Sequence, residues 1–260
     1  MFDVDQFKKA LQTQWVGHEI RYFEKLESTN SHLKTISSDE ISHGMICLAD
    51  DQTKGRGQYE RNWESMPGQN LTFTMVFKPG RAERLHVLTL ACAYATAILI
   101  EKKTSLKAQI KWPNDLIVNR RKIAGLLTET VFSGNRLDRV LVGIGFNINQ
   151  ESFGKALDHK ATSLKIEDGS TFEREKLLAE YLNFIEYCYT RWHQNDTELL
   201  RSINQKLIGY GEWITLSVNG QSSTDRYKLL GINEKGQLTV INQEAGVETF
   251  SYEQIRLIID

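Results

Sequence analysis

Residues 51–63 carry the side chains best suited to binding an anion. Gly55 and Gly57 flank Arg56, and Arg61 follows in the same stretch. Glycine lets the main chain approach a ligand closely, and guanidinium groups donate paired hydrogen bonds to phosphates or carboxylates. A polar surface turn with two solvated arginines is the alternative. The stretch alone leaves both interpretations open.

Two later stretches carry complementary chemistry. Residues 111–115, Lys-Trp-Pro-Asn-Asp, place a cation, a large aromatic ring, a rigid turn and a carboxylate side by side. Lys122 then precedes the apolar stretch 123–127. A lysine in that position either extends its ammonium group to solvent or directs a positive charge at developing negative charge. The residues alone favour the first.

Two further motifs are polar or glycine-rich. Ser28 and Thr29 follow a predicted strand, where they either cap the next helix or face a pocket. Residues 143–149 begin Gly-Ile-Gly but lack the third glycine and the helix that a dinucleotide-binding motif needs, which excludes that motif. The six histidines are scattered, so no nucleophile and base pair is indicated.

The composition is that of a globular protein with a sizeable core. Of 260 residues, 40 % are apolar and 25 % are charged, and the formal net charge is -1. A nucleic-acid binder would show a strongly basic face or a high pI. Any anion site must therefore be local.

The cysteines and the apolar runs indicate the compartment. Cys47, Cys92 and Cys188 are far apart, which predicts neither a disulfide framework nor a zinc site. No apolar run is expected to approach the roughly 18 residues that span a bilayer, and the N-terminal residues include acids where a signal peptide is basic. We expect a cytoplasmic protein without a membrane partner.

Hydrophobic periodicity predicts a first part of mixed helices and strands. Helices are expected at 5–14, 28–36, 85–99, 177–192 and 196–207. Strands are expected at 20–25, 45–50, 71–77, 107–112, 116–119, 123–131 and 140–148. The spacing of Ser170 and Glu173 predicts a capping box, and residues 150–168 predict a mobile polar loop.

Beyond Gly211 the pattern changes to short strands. They are expected at 213–218, 227–232, 237–241, 247–251 and 255–258, separated by turn signals such as Asn219-Gly220 and Lys235-Gly236. Short strands at this spacing predict a small β-barrel of about 50 residues.

In type and in order, the motifs together resemble those of biotin protein ligases. The resemblance runs from about Val16 to Asp260 and rests on Ser28-Thr29-Asn30, Gln52, Gly55-Arg56-Gly57, Arg61, Trp63, Lys111 to Asp115, Lys122 to Gly125 and Gly143 to Asn149. It implies an α+β fold: a mixed β-sheet flanked by helices, related to class II aminoacyl-tRNA synthetases, plus an SH3-like β-barrel. The implied domains are a catalytic domain at 1–210 and the barrel at 211–260. The short first helix leaves no room for a winged-helix module, so we expect the monofunctional type without a nucleic-acid partner.

The resemblance also implies a reaction and its residues. The biotin carboxylate attacks the α-phosphate of ATP, giving biotinyl-5′-AMP and pyrophosphate, and a lysine of a biotin carboxyl carrier domain then takes the biotinyl group. Lys122, Arg56 and Asp115 would be catalytic. Biotin would contact Ser28, Thr29, Asn30, Gln52, Arg56, Gly57, Gln58, Lys122 and Gly125. ATP would contact Arg56, Arg61, Trp63, Lys111, Asn114, Lys122 and Asn147.

Some implied features stay open. Asp115 could orient Mg²⁺, the expected metal cofactor, or accept a proton from the incoming amine. Gln58 and Glu60 replace an arginine and a glycine of the family loop, which affects retention of the adenylate more than activity. We expect a monomer or a weak homodimer. The alternatives are a lipoate or octanoate ligase or transferase, and a non-catalytic biotin sensor.

Overall fold

The computed structural model describes residues 1–80, 82–218, 221–252 and 255–258. Within these ranges the helices are α1 Val4–Ala10, α2 Thr29–Thr35, α3 Leu85–Lys103, α4 Leu164–Asp168, α5 Arg174–His193 and α6 Thr197–Lys206. The strands are β1 Ile20–Leu26, β2 Ile46–Gln52, β3 Leu71–Phe77, β4 Ala108–Lys111, β5 Asp115–Val118, β6 Arg121–Ser133, β7 Arg136–Phe146, β8 Trp213–Val218, β9 Gln221–Ile232, β10 Leu238–Ile241, β11 Val247–Phe250 and β12 Ile255–Ile258. Short 3₁₀ helices lie at Ser38–Glu40 and Gln58–Glu60.

The first seven strands form one mixed sheet in the order β1-β2-β3-β7-β6-β5-β4. β1 and β2 are parallel, and the other neighbours in the sheet are antiparallel. Alternate residues of β2 face opposite sides: Ile46 and Leu48 join the main core, whereas Cys47 packs in a smaller cluster with Leu33 of α2. One face of the sheet is thus covered by α3 and α5, and the other carries α2 and the ligand-sized cavity described below. The predicted fold class is confirmed.

Helix α3 is buried on more than the single stripe that its sequence predicts. Residues on all its sides, including Leu88, Leu90, Cys92 and Thr96, are less than a tenth exposed. By length and composition this helix could cross a membrane, but 67 % of its apolar window is buried within the fold. The sheet covers one side and α5 the other, so the sequence needs no polar face.

Two predictions at helix ends and in loops are wrong. Ser170 and Glu173 do not form a capping box, because α5 starts at Arg174 and the carboxylate of Glu173 accepts from Lys176 and Gln6 instead. The predicted loop 150–168 is irregular only in part. Its last residues form α4, which is capped by the Ser163 hydroxyl.

The last five strands form a second, antiparallel sheet in the order β11-β10-β9-β8-β12 among the described residues. Its residues Leu216, Leu229 and Leu238 belong to the same apolar core as α3 and α6. The Trp112 indole donates to the carbonyl of Gly236, which ties this sheet to the turn before β5. The predicted turn Asn219-Gly220 lies outside the described residues. The division into domains at 210 and 211 stays a prediction and falls between α6 and β8.

Candidate functional site

A cavity of about 500 Å³ opens on the α2 side of the large sheet. This volume lies within the range of small-molecule sites. Every residue predicted for the site lines it: Ser28, Thr29, Asn30, Gln52, Arg56, Gly57, Gln58, Arg61, Trp63, Lys111, Asn114, Asp115, Lys122, Gly125 and Asn147. The fold therefore brings together five separate stretches of the sequence at one place.

The loop after β2 is a narrow hairpin. The Trp63 amide donates to the Gly55 carbonyl (2.9 Å) and the Gly57 amide donates to the Arg61 carbonyl (2.7 Å). A β-carbon on Gly55 would lie 2.3 Å from the Trp63 carbonyl oxygen, so the close approach of the two chain segments requires glycine there. This stretch is a turn, as one interpretation predicts, but its Arg56 and Arg61 line the cavity.

Lys122 and Asp115 form an ion pair at the wall of the cavity. The Lys122 Nζ lies 2.6 Å from Asp115 Oδ1 and 5.4 Å from the centre of the Trp63 ring. Strands β5 and β6 position them, because Asp115 begins β5 opposite Gly125 of β6. Lys122 is about a third exposed. Its charge therefore faces the cavity and can meet an anion there.

Lys111 is the second lysine beside Asp115. Burial and the nearby charge of Lys122 lower the pKa of Lys111 from its ordinary value, against the opposing effect of Asp115. Two ammonium groups thus share one carboxylate. This local excess of positive charge suits a polyanion, in a chain whose net charge is close to zero.

The Trp63 ring occupies a slot between two strands. Gly125 and Gly145 are direct partners in the pairing of β6 with β7. A β-carbon on Gly145 would lie 2.2 Å from Trp63 Cε2, and one on Gly125 would lie 3.2 Å from Cζ3. Two glycines therefore create the space for one indole. The indole Nε1 is buried without a hydrogen-bond partner.

The other end of the site is polar and uncharged. The amide and the hydroxyl of Thr29 donate to Gln52 Oε1 at 2.8 and 3.1 Å. Asn30 Oδ1 accepts from the hydroxyl of Thr74 (2.5 Å), and Gly143 leaves room for this amide, since a β-carbon there would lie 2.3 Å from Oδ1. Ser28 caps α2 through the Ser31 amide and also lines the cavity, so both roles considered for it are compatible.

Asn114 and Asn147 are anchored in the fold. Asn114 Nδ2 donates to the carbonyl of Leu126 (2.6 Å), which fixes the turn between β4 and β5. Asn147 Nδ2 donates to the carbonyl of Thr162 (2.9 Å), whereas its Oδ1 is buried without a partner. Asn147 Oδ1 and Trp63 Nε1 are an acceptor and a donor that a ligand could satisfy.

Several lining residues carried no usable sequence signal. Phe153, Leu157, Lys160 and Ala161 come from the segment predicted as a loop. The Lys122 amide donates to the carbonyl of Lys160 (2.7 Å), which brings this segment against the start of β6. Such pairing depends on tertiary folding. Gly145, by contrast, was visible as the second glycine of the alternating Gly-Ile-Gly.

The structure gives no dedicated metal cluster among the residues it describes. These residues contain no group of three or more histidine, cysteine, aspartate or glutamate side chains placed to hold an ion. Asp115, the predicted metal ligand, already pairs with Lys122. Its role as a Mg²⁺ ligand stays a prediction, and the geometry gives it a different first partner.

Comparisons with known proteins point to one family. The sequence model of the "Biotin/lipoate A/B protein ligase family" matches residues 22–147. A biotin--[acetyl-CoA-carboxylase] ligase of Paracoccus denitrificans is 32 % identical over 180 residues, which cover 66 % of this chain and 72 % of that protein. The bifunctional ligase/repressor BirA of Bacillus subtilis is 28 % identical over 250 residues, covering 95 % of this chain and 76 % of the relative.

The fold gives the same result. The structure of the biotin protein ligase from Aquifex aeolicus in complex with biotin and ATP superimposes with a TM-score of 0.81 and 28 % identity. The match covers 94 % of this chain and 100 % of the Aquifex chain. It therefore includes both sheets.

Proposed function

Because the chain belongs to the biotin protein ligases of the biotin/lipoate A/B protein ligase family, we propose that it activates biotin with ATP and transfers the biotinyl group to one lysine of a biotin carboxyl carrier domain. The observation that carries this proposal is the polarity of the cavity. Five cations line it, Arg56, Arg61, Lys111, Lys122 and Lys160, against the carboxylates of Glu64 and Asp115. The polar end at Thr29 and Gln52 carries no charge. This combination of neutral hydrogen-bonding groups and excess positive charge suits a ligand with a neutral hydrogen-bonding head and an acidic group, next to a polyphosphate.

In the first step, an oxygen of the biotin carboxylate attacks the α-phosphorus of ATP. The bond to the bridging oxygen breaks, pyrophosphate leaves and biotinyl-5′-AMP forms. Two anions must approach each other, so the protein's task is to neutralise charge and to align the reacting atoms. Arg56 and Lys122 line the cavity as the cations for this task, and Asp115 orients the Lys122 ammonium group.

The polar end holds the ureido head of biotin. A buried ureido group that lacked partners would cost about 1–3 kcal/mol for each unpaired group. Ser28, Thr29, Asn30 and Gln52 supply hydroxyl and amide partners there. The lipoyl or octanoyl chain of the alternative substrates has no head group to use these partners.

The nucleotide lies beside Trp63 and Asn147. The unpaired Trp63 Nε1 and Asn147 Oδ1 offer one donor and one acceptor to it, and Lys111, Asn114 and Arg61 complete the predicted nucleotide contacts. Mg²⁺ would neutralise the phosphates of ATP, and Asp115 is the lining carboxylate predicted to hold it. To hold Mg²⁺, Asp115 would have to release Lys122, with which it pairs, and no step is routed through that ion.

In the second step, the amine of the acceptor lysine attacks the acyl carbon of biotinyl-5′-AMP. AMP leaves as the amide bond forms, and the amine loses a proton. Asp115 is the lining carboxylate nearest to Lys122 and can take up that proton once the Lys122 ammonium group rearranges. The protein contributes no covalent nucleophile to either step.

The remaining proposals concern the partner and the setting. The acceptor is a biotin carboxyl carrier domain of a biotin-dependent carboxylase. A cytoplasmic setting is supported by three cysteines that are free and buried, Cys47, Cys92 and Cys188. A monomer or a weak homodimer is the expected assembly, which sedimentation equilibrium would measure.

The test is to incubate the protein with biotin, ATP, Mg²⁺ and a carrier domain, and to measure the mass of the carrier. We expect the gain of one biotinyl group on one lysine, and none without ATP. Lipoate and octanoate, each supplied in parallel, should give no gain. Modification by either acid in preference to biotin would replace the proposal with the lipoate-type alternative. Binding of biotin without any transfer would replace it with the sensor.

A further inference from the structure

Glu129 is a largely buried carboxylate that neither the motifs nor the reaction accounts for. It lies on β6, two residues beyond Leu127, on the face of the sheet that bears the cavity. Its side chain is 15 % exposed and does not line the cavity. Any influence of Glu129 on a ligand in the cavity must therefore pass through the side chains that it contacts.

The carboxylate joins three parts of the site. Oε1 accepts from Lys34 Nζ (2.6 Å) and from Arg56 Nη2 (3.0 Å). Oε2 accepts from Asn30 Nδ2 (2.9 Å). Asn30 and Lys34 belong to α2, and Arg56 belongs to the hairpin loop. One side chain thus connects the polar end of the cavity to its cationic loop.

Glu129 is held in its charged form. Burial alone would raise its pKa, but the hydrogen bonds from Lys34 and Asn30, and the charges of Lys34 and Arg56, hold that pKa below its ordinary value. A charged acceptor forms stronger hydrogen bonds than a neutral one. Two of the hydrogen bonds to Glu129 hold Asn30 and Arg56, which the proposed reaction uses.

The contacts fix the orientation of Asn30 and Arg56. Because Nδ2 of Asn30 donates to Glu129 and, at 3.3 Å, to the Leu127 carbonyl, Oδ1 is turned to the Thr74 hydroxyl. Arg56 donates through Nη2 to Glu129 and through Nη1 to Ser31 Oγ (3.3 Å). A guanidinium group has five N–H donors, so donors remain free for an anion in the cavity. Without Glu129, a loop arginine that is 44 % exposed would sample many rotamers.

We propose that Glu129 is a positioning residue, which sets the orientations of Arg56 and Asn30 before the substrates bind and so links the hairpin loop to α2. This inference rests on the proposed function. A purely structural role for the same carboxylate would change the stability of the fold but not the loop or the use of biotin.

The experiment compares Glu129→Gln with Glu180→Gln. Glu180 is a matched control, because it is similarly buried (21 % exposed) and pairs with two lysines, Lys102 and Lys103, between α3 and α5. The first readout is trypsin cleavage of the ligand-free proteins within 54–61, after Lys54, Arg56 or Arg61. We expect cleavage to be roughly fivefold faster in Glu129→Gln and unchanged in Glu180→Gln, since release of Arg56 loosens the loop.

The second readout is biotin-dependent exchange of pyrophosphate into ATP. For Glu129→Gln we expect kcat/KM for biotin to fall about tenfold, in proportion to the loss of preorganisation. Glu129→Asp, which keeps the charge, should recover part of the loss. In an Arg56→Gln background the Glu129→Gln effect should be smaller, because the part that acts through Arg56 is already lost.

The outcomes separate the two proposals. Absence of exchange in the wild-type protein overturns the proposed function, whereas the cleavage comparison still tests the Glu129 contacts. Unchanged cleavage together with unchanged kcat/KM in Glu129→Gln overturns the positioning role, as do additive effects of the two substitutions. If Glu129→Gln does not fold, Glu129→Asp decides, because wild-type cleavage and kinetics in that variant would contradict the inference.

Discussion

Two buried carboxylates in this biotin protein ligase pair with arginines in contrasting ways. Asp50 accepts from Arg174 Nη1 (2.6 Å), from the Tyr22 hydroxyl (2.7 Å) and from the Phe2 amide (3.1 Å). Both charged side chains are buried: Asp50 is 8 % exposed and Arg174 is 7 % exposed. Glu129 also collects several donors, but its arginine, Arg56, is 44 % exposed on a loop.

The difference in exposure separates two tasks. A fully buried pair has lost its hydration, so removal of one partner leaves an uncompensated charge and destabilises the fold. An exposed arginine keeps much of its hydration and contributes little to stability. Arg174 therefore ties the start of α5 to β2, whereas Arg56 is available to a ligand.

The largest expected effect is the loss of stability on breaking the buried ion pair of Arg174 and Asp50. Arg174→Met should lower the free energy of unfolding by about 3–5 kcal/mol, because Asp50 would remain buried and charged. Arg56→Met should lower it by less than about 1 kcal/mol. Urea unfolding of both variants measures the contrast. Equal losses would mean that exposure does not distinguish the two centres.

The next largest effect is on the reaction rate, at a cation that lines the cavity. Lys122→Ala should reduce biotin-dependent pyrophosphate exchange by roughly 10² or more, the scale of losing one preorganised charge. Its urea midpoint should stay close to that of the wild type. Lys206→Ala is the control, since Lys206 pairs with Glu101 (2.6 Å) at a similar exposure away from the cavity. Near wild-type exchange in Lys122→Ala would remove Lys122 from the mechanism.

A smaller effect is expected at the Trp63 slot. In Gly145→Ala the new β-carbon would overlap the indole ring, so the ring must leave the slot. We expect KM for ATP to rise about tenfold, equivalent to about 1.4 kcal/mol, with a red shift of tryptophan fluorescence. Gly154→Ala has open space around the new β-carbon and should change neither. An unshifted fluorescence spectrum in Gly145→Ala would contradict the placement of the Trp63 ring against Gly145.

The smallest effect is confined to acid pH. Burial raises the pKa of Asp50, but the hydrogen bonds from Arg174 and Tyr22 and the charge of Arg174 outweigh it, so the pKa lies below its ordinary value of 3.8. A lowered pKa stabilises the fold above the unfolded value, and this contribution is lost as the pH falls through the folded value.

Asp50→Asn should therefore lose stability less steeply than the wild type below about pH 4, by up to about 1.4 kcal/mol per pH unit. Unfolding is followed by circular dichroism between pH 2 and 6, in buffers of ~0.1 M ionic strength. The measurement gives the slope of unfolding free energy against pH for each protein. Equal slopes of unfolding free energy against pH in the two proteins would show that Asp50 does not cause the loss of stability at acid pH.

The sequence predicted the regular elements well where apolar residues recur at a fixed period. Leu71–Phe77 of β3 and the apolar stripe of α5 follow the periods expected for a strand and a helix. The strands β7 and β9 begin earlier than predicted, at Arg136 and Gln221, because polar residues at the ends of long hairpins carry no alternation. The motifs carried the resemblance to the family, and the resemblance implied the fold class.

The candidate site was predicted in part. The residues named from the motifs all lie at the cavity, because the motifs are short and each follows or begins a strand. Glu129 was missed, although an acidic residue within a predicted strand, between Thr128 and Thr130, was a usable signal. Lys160 and Ala161 were missed for a different reason, since their pairing with Lys122 is long-range.

The sequence by itself determined which side chains could neutralise an anion and in which order the chain presents them, since residue types and local spacing decide both. Only the tertiary structure decided which charged side chains are buried and which remain exposed to a ligand. Asp50 and Asp51 are adjacent in the sequence, yet only Asp50 is buried with an arginine. Burial depends on the packing of distant elements such as α5 and α1, and it is burial that determines whether a charge stabilises the fold or can serve a ligand.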